Sequence, residues 1–146
     1  MKRFHTLVLF FLAVAVAPCF AHHVAVVVNR DNHVADVTAA HLAAICRLEA
    51  RKWPDGKEVV LVLRRDSVGE LATLEHLTRM SESEWKAFVS SHKDAVTWAD
   101  SDAEVLRLVE TVQGALGFVE VRSINDRVNV LKVGGKLPME EGYLSH

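Results

Sequence analysis

The chain has 146 residues, of which 50% are hydrophobic, and its 17 Lys and Arg residues nearly balance its 19 Asp and Glu residues, for a net charge of −2. No basic stripe with interleaved aromatic side chains is visible, which argues against nucleic acid as a partner. A chain of this length can bury a core in one compact domain, since single domains cluster near about 100–150 residues.

Residues 1–21 have the layout of a secretory signal peptide. Lys2 and Arg3 precede an apolar run over residues 6–17, and small residues stand near its end. The run is shorter than the roughly 20 apolar residues that a membrane span needs. We therefore predict cleavage after Ala21 and a periplasmic or secreted mature domain without a membrane span.

The predicted mature domain comprises residues 22–146. Two of the 17 basic residues leave with the signal, so 15 remain against 19 acidic residues, and the domain is mildly acidic. In a lipoprotein Cys19 would become the new N-terminus, but Pro18 directly before it fits that signal badly. With Cys19 removed, Cys46 has no partner for an internal disulfide, and its apolar helical surroundings predict a buried, inert thiol.

The first predicted elements are a strand, a helix and a turn. The β-branched run VAVVVN, Val24–Asn29, predicts a strand that is buried on both faces. A helix is predicted over residues 37–48, with either Asp36 or Thr38 as its N-cap. The Pro-Asp-Gly sequence at residues 54–56 predicts a turn, because Pro fixes φ and Gly supplies a positive φ.

The middle of the chain predicts a strand followed by helices. The apolar run over residues 59–63 predicts a second buried strand, and the helix after it begins at Ser67. A further helix presents one face with the spacing i, i+3, i+4 and i+7, formed by Trp85, Phe88, Val89 and His92.

The C-terminal part predicts one more helix and two strands. The helix covers residues 102–114 with Gly114 as its left-handed cap residue, and strands follow over residues 115–121 and 128–133. Strands separated by helices imply a sheet with parallel pairs and helical covers. The predicted fold class is therefore α/β.

Five stretches stand out in order along the chain: VVVNRDN, ICRLEARKWPDGKEV, RRDSVGE, GALGFVEV and VLKVGGKLPMEEGYL. Together they resemble the small phosphate-transporter-type periplasmic substrate-binding proteins, over essentially the whole mature chain. The resemblance implies a single three-layer-like lobe of a periplasmic binding protein, with helices packed on a mixed sheet. It also implies a non-catalytic role linked to ABC transport, with no cofactor.

The resemblance further implies an anion site where the second strand turns into its helix. Full-length members of that family have two lobes that close over a dehydrated phosphate, which Arg, Asp, small hydroxyl residues and helix-start N–H groups hold. Arg64, Asp66 and Gly69 take the positions of the family's Arg-x-Asp-x-x-Gly turn. Ser67 stands one position earlier than the family's hydroxyl residue.

Asn29 and Arg30 are the other candidate ligand-binding residues. They follow the end of the first strand, where ligands of α/β sheets gather, so we expect them alongside the turn. The alternative is a polar turn that Asn29 and Arg30 form with the two residues after them.

Glu70 departs from the family pattern. The larger binding proteins continue the turn as Ser-Gly-Thr, whereas residues 68–70 here read VGE, so a carboxylate sits where the anion would approach. Such a carboxylate would repel a dianion. Together with Asp66 it also predicts that Arg64 and Arg65 are neutralised internally, since Arg fits a carboxylate as well as a phosphate.

The same turn also reads as a helix cap. Ser67-x-x-Glu70 is a capping box, in which the Ser67 hydroxyl accepts the Glu70 N–H and the Glu70 side chain accepts the Ser67 N–H. The pattern recurs at two other predicted helix starts, Ser81-x-x-Glu84 and Ser101-x-x-Glu104. The sequence therefore leaves a structural and an anion-binding role for this turn open.

Two functions follow from these observations. The first is a domain that binds inorganic phosphate or a similar oxyanion for transport or sensing. The second is an envelope protein-interaction module that kept the fold and lost the ligand. An enzyme is not expected, because the chain has no G-x-S-x-G, H-E-x-x-H or P-loop pattern. No metal site is predicted, with one outlying alternative, Cu²⁺ or Ni²⁺ chelation by a mature N-terminal His22.

Overall fold

The computed structural model describes residues 23–144. In chain order, the strands are β1 (Val24–Asn29), β2 (Asp36–Val37), β3 (Val60–Arg64), β4 (Val96–Ala99), β5 (Ala115–Glu120), β6 (Val128–Val130) and β7 (Lys132–Val133). The helices are α1 (Ala39–Cys46), α2 (Val68–Thr78), α3 (Glu82–Ser91) and α4 (Asp102–Thr111), and a 3₁₀ turn covers Val121–Ser123.

A mixed five-stranded sheet forms the centre of the fold, in the order β4-β3-β5-β1-β6. Strand β3 runs parallel to β4 and β5, whereas β1 runs antiparallel to β5 and β6. Strands β2 and β7 pair separately in parallel. The carboxyl ends of β3, β4 and β5 therefore meet at one end of the sheet, which we call the turn end, together with the beginning of β1.

Helices cover both faces of the sheet. In β1, Val26 and Val28 pack in one apolar cluster with residues of α1, α2 and α3, whereas Val27 packs in a second cluster with residues of α4. All six residues of β1 are buried, as predicted from its β-branched sequence. The predicted three-layer arrangement of helices on a mixed sheet is confirmed.

Two glycines allow close packing around β5. A Cβ on Gly117 would lie 2.7 Å from Cγ1 of Val105, so glycine lets α4 approach the sheet. Gly114 has φ of +80°, and a Cβ there would lie 2.1 Å from the carbonyl oxygen of Glu58. Only glycine fits both the conformation and the space at position 114.

Several predicted boundaries need correction. Strand β4 was not predicted, because it is a four-residue strand at the edge of the sheet with no alternation of buried and exposed residues. The helix predicted from residue 37 is capped by Thr38, since Asp36–Val37 pairs with β7 instead. Gly114 has the predicted left-handed φ, but α4 ends at Thr111, so Gly114 belongs to the turn into β5.

The strand predicted over residues 128–133 is divided between two sheets. Leu131 separates β6 from β7, and its carbonyl accepts a 2.6 Å hydrogen bond from the Tyr143 hydroxyl. That hydroxyl also accepts the N–H of Val26 in β1 at 3.1 Å. Tyr143 therefore ties the C-terminal segment to the main sheet.

The Cys46 thiol is free and fully buried, and burial raises its pKa to about 12, which confirms the predicted inert thiol. Within residues 23–144, no helix is both long and apolar enough to cross a membrane. The predicted signal peptide and His22 lie outside the described residues.

Candidate functional site

The turn between β3 and α2 lies at the turn end of the sheet. Arg64 closes β3, and Asp66 follows in the left-handed region with φ of +57°. Ser67 is the N-cap of α2, and its hydroxyl accepts the Glu70 N–H at 3.3 Å. The capping interaction of the Ser67 hydroxyl is thus confirmed.

The Glu70 side chain does not complete the predicted capping box. Its Oε2 accepts the backbone N–H of Arg64 at 2.9 Å, and the residue is only 4% exposed. At the start of α4, the Glu104 carboxylate likewise accepts the N–H of Asp100 at 2.8 Å, not that of Ser101. In both cases the carboxylate reaches a residue upstream of the N-cap, so the cap is anchored to the preceding strand or loop.

The burial of Glu70 weakens the expected repulsion of an anion. Burial raises its pKa to about 8, with a smaller contribution from the Asp102 charge, although the Arg64 N–H and guanidinium act in the opposite direction. Burial therefore favours the uncharged form of this carboxyl group. In that form it repels no anion, and one of its oxygens is a hydrogen-bond donor.

The two arginines of the turn are paired with carboxylates on the next loop and helix. Arg64 Nη1 lies 2.9 Å from Asp102 Oδ1, and Arg65 Nη1 lies 2.9 Å from Asp100 Oδ1. The predicted internal neutralisation therefore occurs, but Asp66 and Glu70 do not provide it. The parallel pairing of β3 with β4 places the start of α4 beside the turn and so selects these partners.

Asp102 holds the Arg64 ion pair rigidly. Its Oδ2 accepts the N–H of Glu120 at 3.0 Å and the hydroxyl of Ser123 at 2.8 Å, while Oδ1 accepts Arg64. Sequence reasoning missed this residue. The Ser101-x-x-Glu104 pattern located the helix, but without β4 nothing placed that helix next to the turn.

A pocket of about 200 Å³ opens at the N-terminus of α2, and we call it the turn pocket. Four of the predicted ligand-binding residues line it, together with Glu70 and Asp102: Arg64, Asp66, Ser67 and Gly69. Two of these residues carry a buried side-chain atom without a hydrogen-bond partner among residues 23–144, Nε of Arg64 and Oε1 of Glu70. The first N–H groups of α2 also lack acceptors within the helix.

Asn29 and Arg30 lie at the opposite end of the sheet, so the expectation that they stand alongside the turn is wrong. Strand β1 runs antiparallel to β5, with Val28 opposite Leu116, and its carboxyl end therefore points away from the turn end. Arg30 is exposed. The rule that ligands gather at carboxyl ends of strands applies to parallel strands, and β1 is not one.

Asn29 has a clear structural role at that end. Its Nδ2 donates to the carbonyl oxygens of Val109, Glu110 and Val112 at 2.9, 3.1 and 3.2 Å, and its Oδ1 accepts the N–H of Asp31. The side chain therefore caps the C-terminus of α4 and forms the polar turn that was the alternative interpretation.

The Trp-Pro-Asp-Gly segment at residues 53–56, part of one of the five stretches that carry the resemblance, also has a structural role. Trp53 is buried, and its Nε1 donates to the carbonyl oxygen of Gly114 at 2.9 Å. Asp55 accepts the N–H of Lys57, and Gly56 has φ of +87°, as the turn prediction required. These residues hold in place the segment that leads into β3, and they do not line the turn pocket.

No family model and no curated protein sequence matches the chain. Solved structures show that its fold is that of one lobe of an ABC transporter substrate-binding protein. Specifically, it is similar to the ABC-type phosphate transport receptor from Vibrio cholerae, with a TM-score of 0.65 and 21% identity over 80% of this chain and 48% of that one.

Two further structures share the fold. The phosphate-binding protein from Stenotrophomonas maltophilia has a TM-score of 0.65 and 17% identity over 80% of this chain and 40% of its own. PstS from Borrelia burgdorferi has a TM-score of 0.64 and 16% identity over 80% and 49%. At these identities the likeness is one of fold. The chain spans less than half the length of each of these structures.

Proposed function

We propose that this chain is a periplasmic or secreted, non-catalytic substrate-binding domain that takes phosphate or a similar oxyanion in the turn pocket. In this proposal residues 1–21 are a signal peptide, and residues 22–146 are the working domain of a transport or sensing system. The proteins that share its fold are phosphate receptors and phosphate-binding proteins. They lend no support to the alternative of a module that lost its ligand.

The observation that carries the proposal is the pair of unpartnered buried atoms on two residues that line the turn pocket. Arg64 Nε is a hydrogen-bond donor, and Glu70 Oε1 becomes one when the carboxyl group is protonated. Buried polar atoms are normally hydrogen-bonded, so two at one pocket indicate a ligand that completes them. An anion with several acceptor oxygens satisfies both.

The surroundings of these atoms favour negative charge in two further ways. The α2 macrodipole places partial positive charge at the pocket, and the N–H groups of Val68 and Gly69 are free of intrahelical acceptors. The ion pair with Asp102 uses only part of the Arg64 guanidinium, which has five N–H donors. Asp66, exposed on the turn, can accept a hydrogen bond from an oxyanion that carries its own proton.

Thermal unfolding of the secreted protein with and without phosphate or sulfate tests the proposal, after its mass has shown where the N-terminal segment is cleaved. A ligand at about 100 times its Kd stabilises the folded state by about 2.7 kcal/mol. We expect Arg64→Gln to abolish the shift. Arg30→Gln, which alters an exposed arginine at the opposite end of the sheet, should retain it.

Absence of a shift with every tetrahedral oxyanion would contradict ligand binding. The fold would then serve a protein contact, the alternative of an envelope interaction module. Equal shifts in the Arg64→Gln and Arg30→Gln variants would instead place the anion elsewhere than in the turn pocket.

A further inference from the structure

A larger groove of about 660 Å³ opens beside the turn pocket, between α2, α3 and the edge strand β4. We call it the side groove. Five residues line both spaces: Arg64, Asp66, Ser67, Val68 and Glu70. The two are therefore parts of one continuous surface, with the N-terminus of α2 at the junction.

The two parts differ in chemistry. Apolar side chains from β3, β4, α2 and α3 line the side groove, namely Leu63, Leu71, Leu74, Trp85, Val89 and Trp98. Trp98 stands on β4 with 41% of its surface exposed, and the Arg65 guanidinium lies 5.6 Å above its ring. An exposed indole held in this way is a stacking platform for a flat apolar group.

Lys86 and Arg65, two charged groups at the rim of the side groove, are already paired. Lys86 Nζ lies 2.8 Å from Glu82 Oε1, and Arg65 is bound to Asp100. The unpartnered polar atoms described above belong to Arg64 and Glu70, at the junction with the turn pocket, and Gly69 and Asp102 line only the turn pocket. The surface as a whole thus has one polar end for a charged head and one apolar end for an uncharged body.

We infer that the ligand is an organic phosphate monoester with an aromatic or alkyl body, whose phosphate lies in the turn pocket and whose body fills the side groove. The inference rests on the proposed function and narrows its substrate class. The groove volume lies within the roughly 300–1,000 Å³ of small-molecule sites. Inorganic phosphate has no apolar surface to bury there, whereas a monoester has one and keeps its anionic oxygens.

Calorimetric titration of the secreted protein with phenyl phosphate, inorganic phosphate and phenol tests this inference. We expect phenyl phosphate to bind about tenfold more tightly than inorganic phosphate, as one added aromatic contact allows. Trp98→Ala should remove that advantage and leave the affinity for inorganic phosphate unchanged. Trp98→Phe should restore it in part, and Met139→Ala, which removes an exposed apolar side chain outside the groove, should alter neither affinity.

The other possible outcomes contradict either this inference, the placement of the phosphate or the proposed function. Equal affinities for the two phosphates would overturn the inference and leave oxyanion binding intact, and so would an equal loss of both affinities in Trp98→Ala. Phenol binding as tightly as phenyl phosphate would overturn the placement of the phosphate. No binding of either phosphate would overturn the proposed function as well.

Discussion

The backbone N–H of Arg64 donates a 2.9 Å hydrogen bond to the buried carboxyl group of Glu70. This contact joins the end of β3 to the first turn of α2 and holds an ionisable group that is only 4% exposed. We therefore expect the stability of the protein, and the proposed ligand binding at the turn, to depend on the protonation of Glu70.

We predict that the free energy of unfolding falls as the pH rises from about 4.5 to about 8. The ordinary pKa of 4.5 is raised to about 8 in the folded chain, so the folded state holds a proton that the unfolded chain has lost. The contribution of Glu70 to the free energy of unfolding is fully present below pH 4.5. Above that pH it declines by up to about 1.4 kcal/mol per pH unit. Urea unfolding at several pH values measures this slope.

Glu70→Gln should flatten this pH dependence and make the protein more stable than the wild type at pH 9, because the amide keeps an acceptor for Arg64 and never ionises. The matched control is Glu84→Gln, an exposed glutamate at the same position relative to its N-cap in α3. If the Glu70→Gln slope equals that of the wild type, another group causes the dependence.

Asp102→Ala should lower the free energy of unfolding by about 1–3 kcal/mol, because it leaves the Arg64 guanidinium and the Glu120 N–H without their acceptor. Its side chain is 14% exposed, against 71% for Asp100, which pairs with Arg65 at the same 2.9 Å. Asp100→Ala should therefore cost less than about 1 kcal/mol. Denaturant unfolding of both variants would refute the reasoning if the two losses were alike.

Asn29→Ala should destabilise the protein by about 1–3 kcal/mol, since three carbonyl groups at the end of α4 lose their donor in a buried position. The thermal shift caused by phosphate should remain, because Asn29 lies at the opposite end of the sheet from the turn pocket. Arg30→Ala, at an exposed neighbour, should change stability by less than about 0.5 kcal/mol. If Asn29→Ala lost the thermal shift caused by phosphate while it kept its fold, Asn29 would have to be part of the ligand site.

Gly114→Ala should cost about 2–5 kcal/mol, because it combines an unfavourable left-handed conformation with a clash against the Glu58 carbonyl oxygen. Gly56→Ala is the matched control. Gly56 has a similar φ of +87°, but a Cβ there has no atom within 4 Å, so only about 1–2 kcal/mol is expected. If thermal unfolding showed equal losses of stability in the two variants, the Glu58 backbone would move away from the new Cβ at position 114 at no cost.

The parts of the fold that the sequence predicted are those set by short-range rules. A continuous β-branched run located β1, and Ser-x-x-Glu patterns located the starts of α2, α3 and α4. Strand β4 was not predicted because its four residues carry neither a continuous apolar run nor an alternating pattern. The position of Asp102 was therefore not predicted either, since the partner of Arg64 depends on which strand lies next to β3.

The sequence by itself determined the α/β class, the helix caps and the grouping of Arg64, Asp66, Ser67 and Gly69, because neighbours on one turn stay neighbours in any fold. Only the tertiary structure decided the direction of β1, which removed Asn29 and Arg30 from the site, and the burial of Glu70, which neutralises its charge. Strand direction and desolvation arise from contacts between distant segments. They are therefore properties of the packed chain and cannot be read from local spacing.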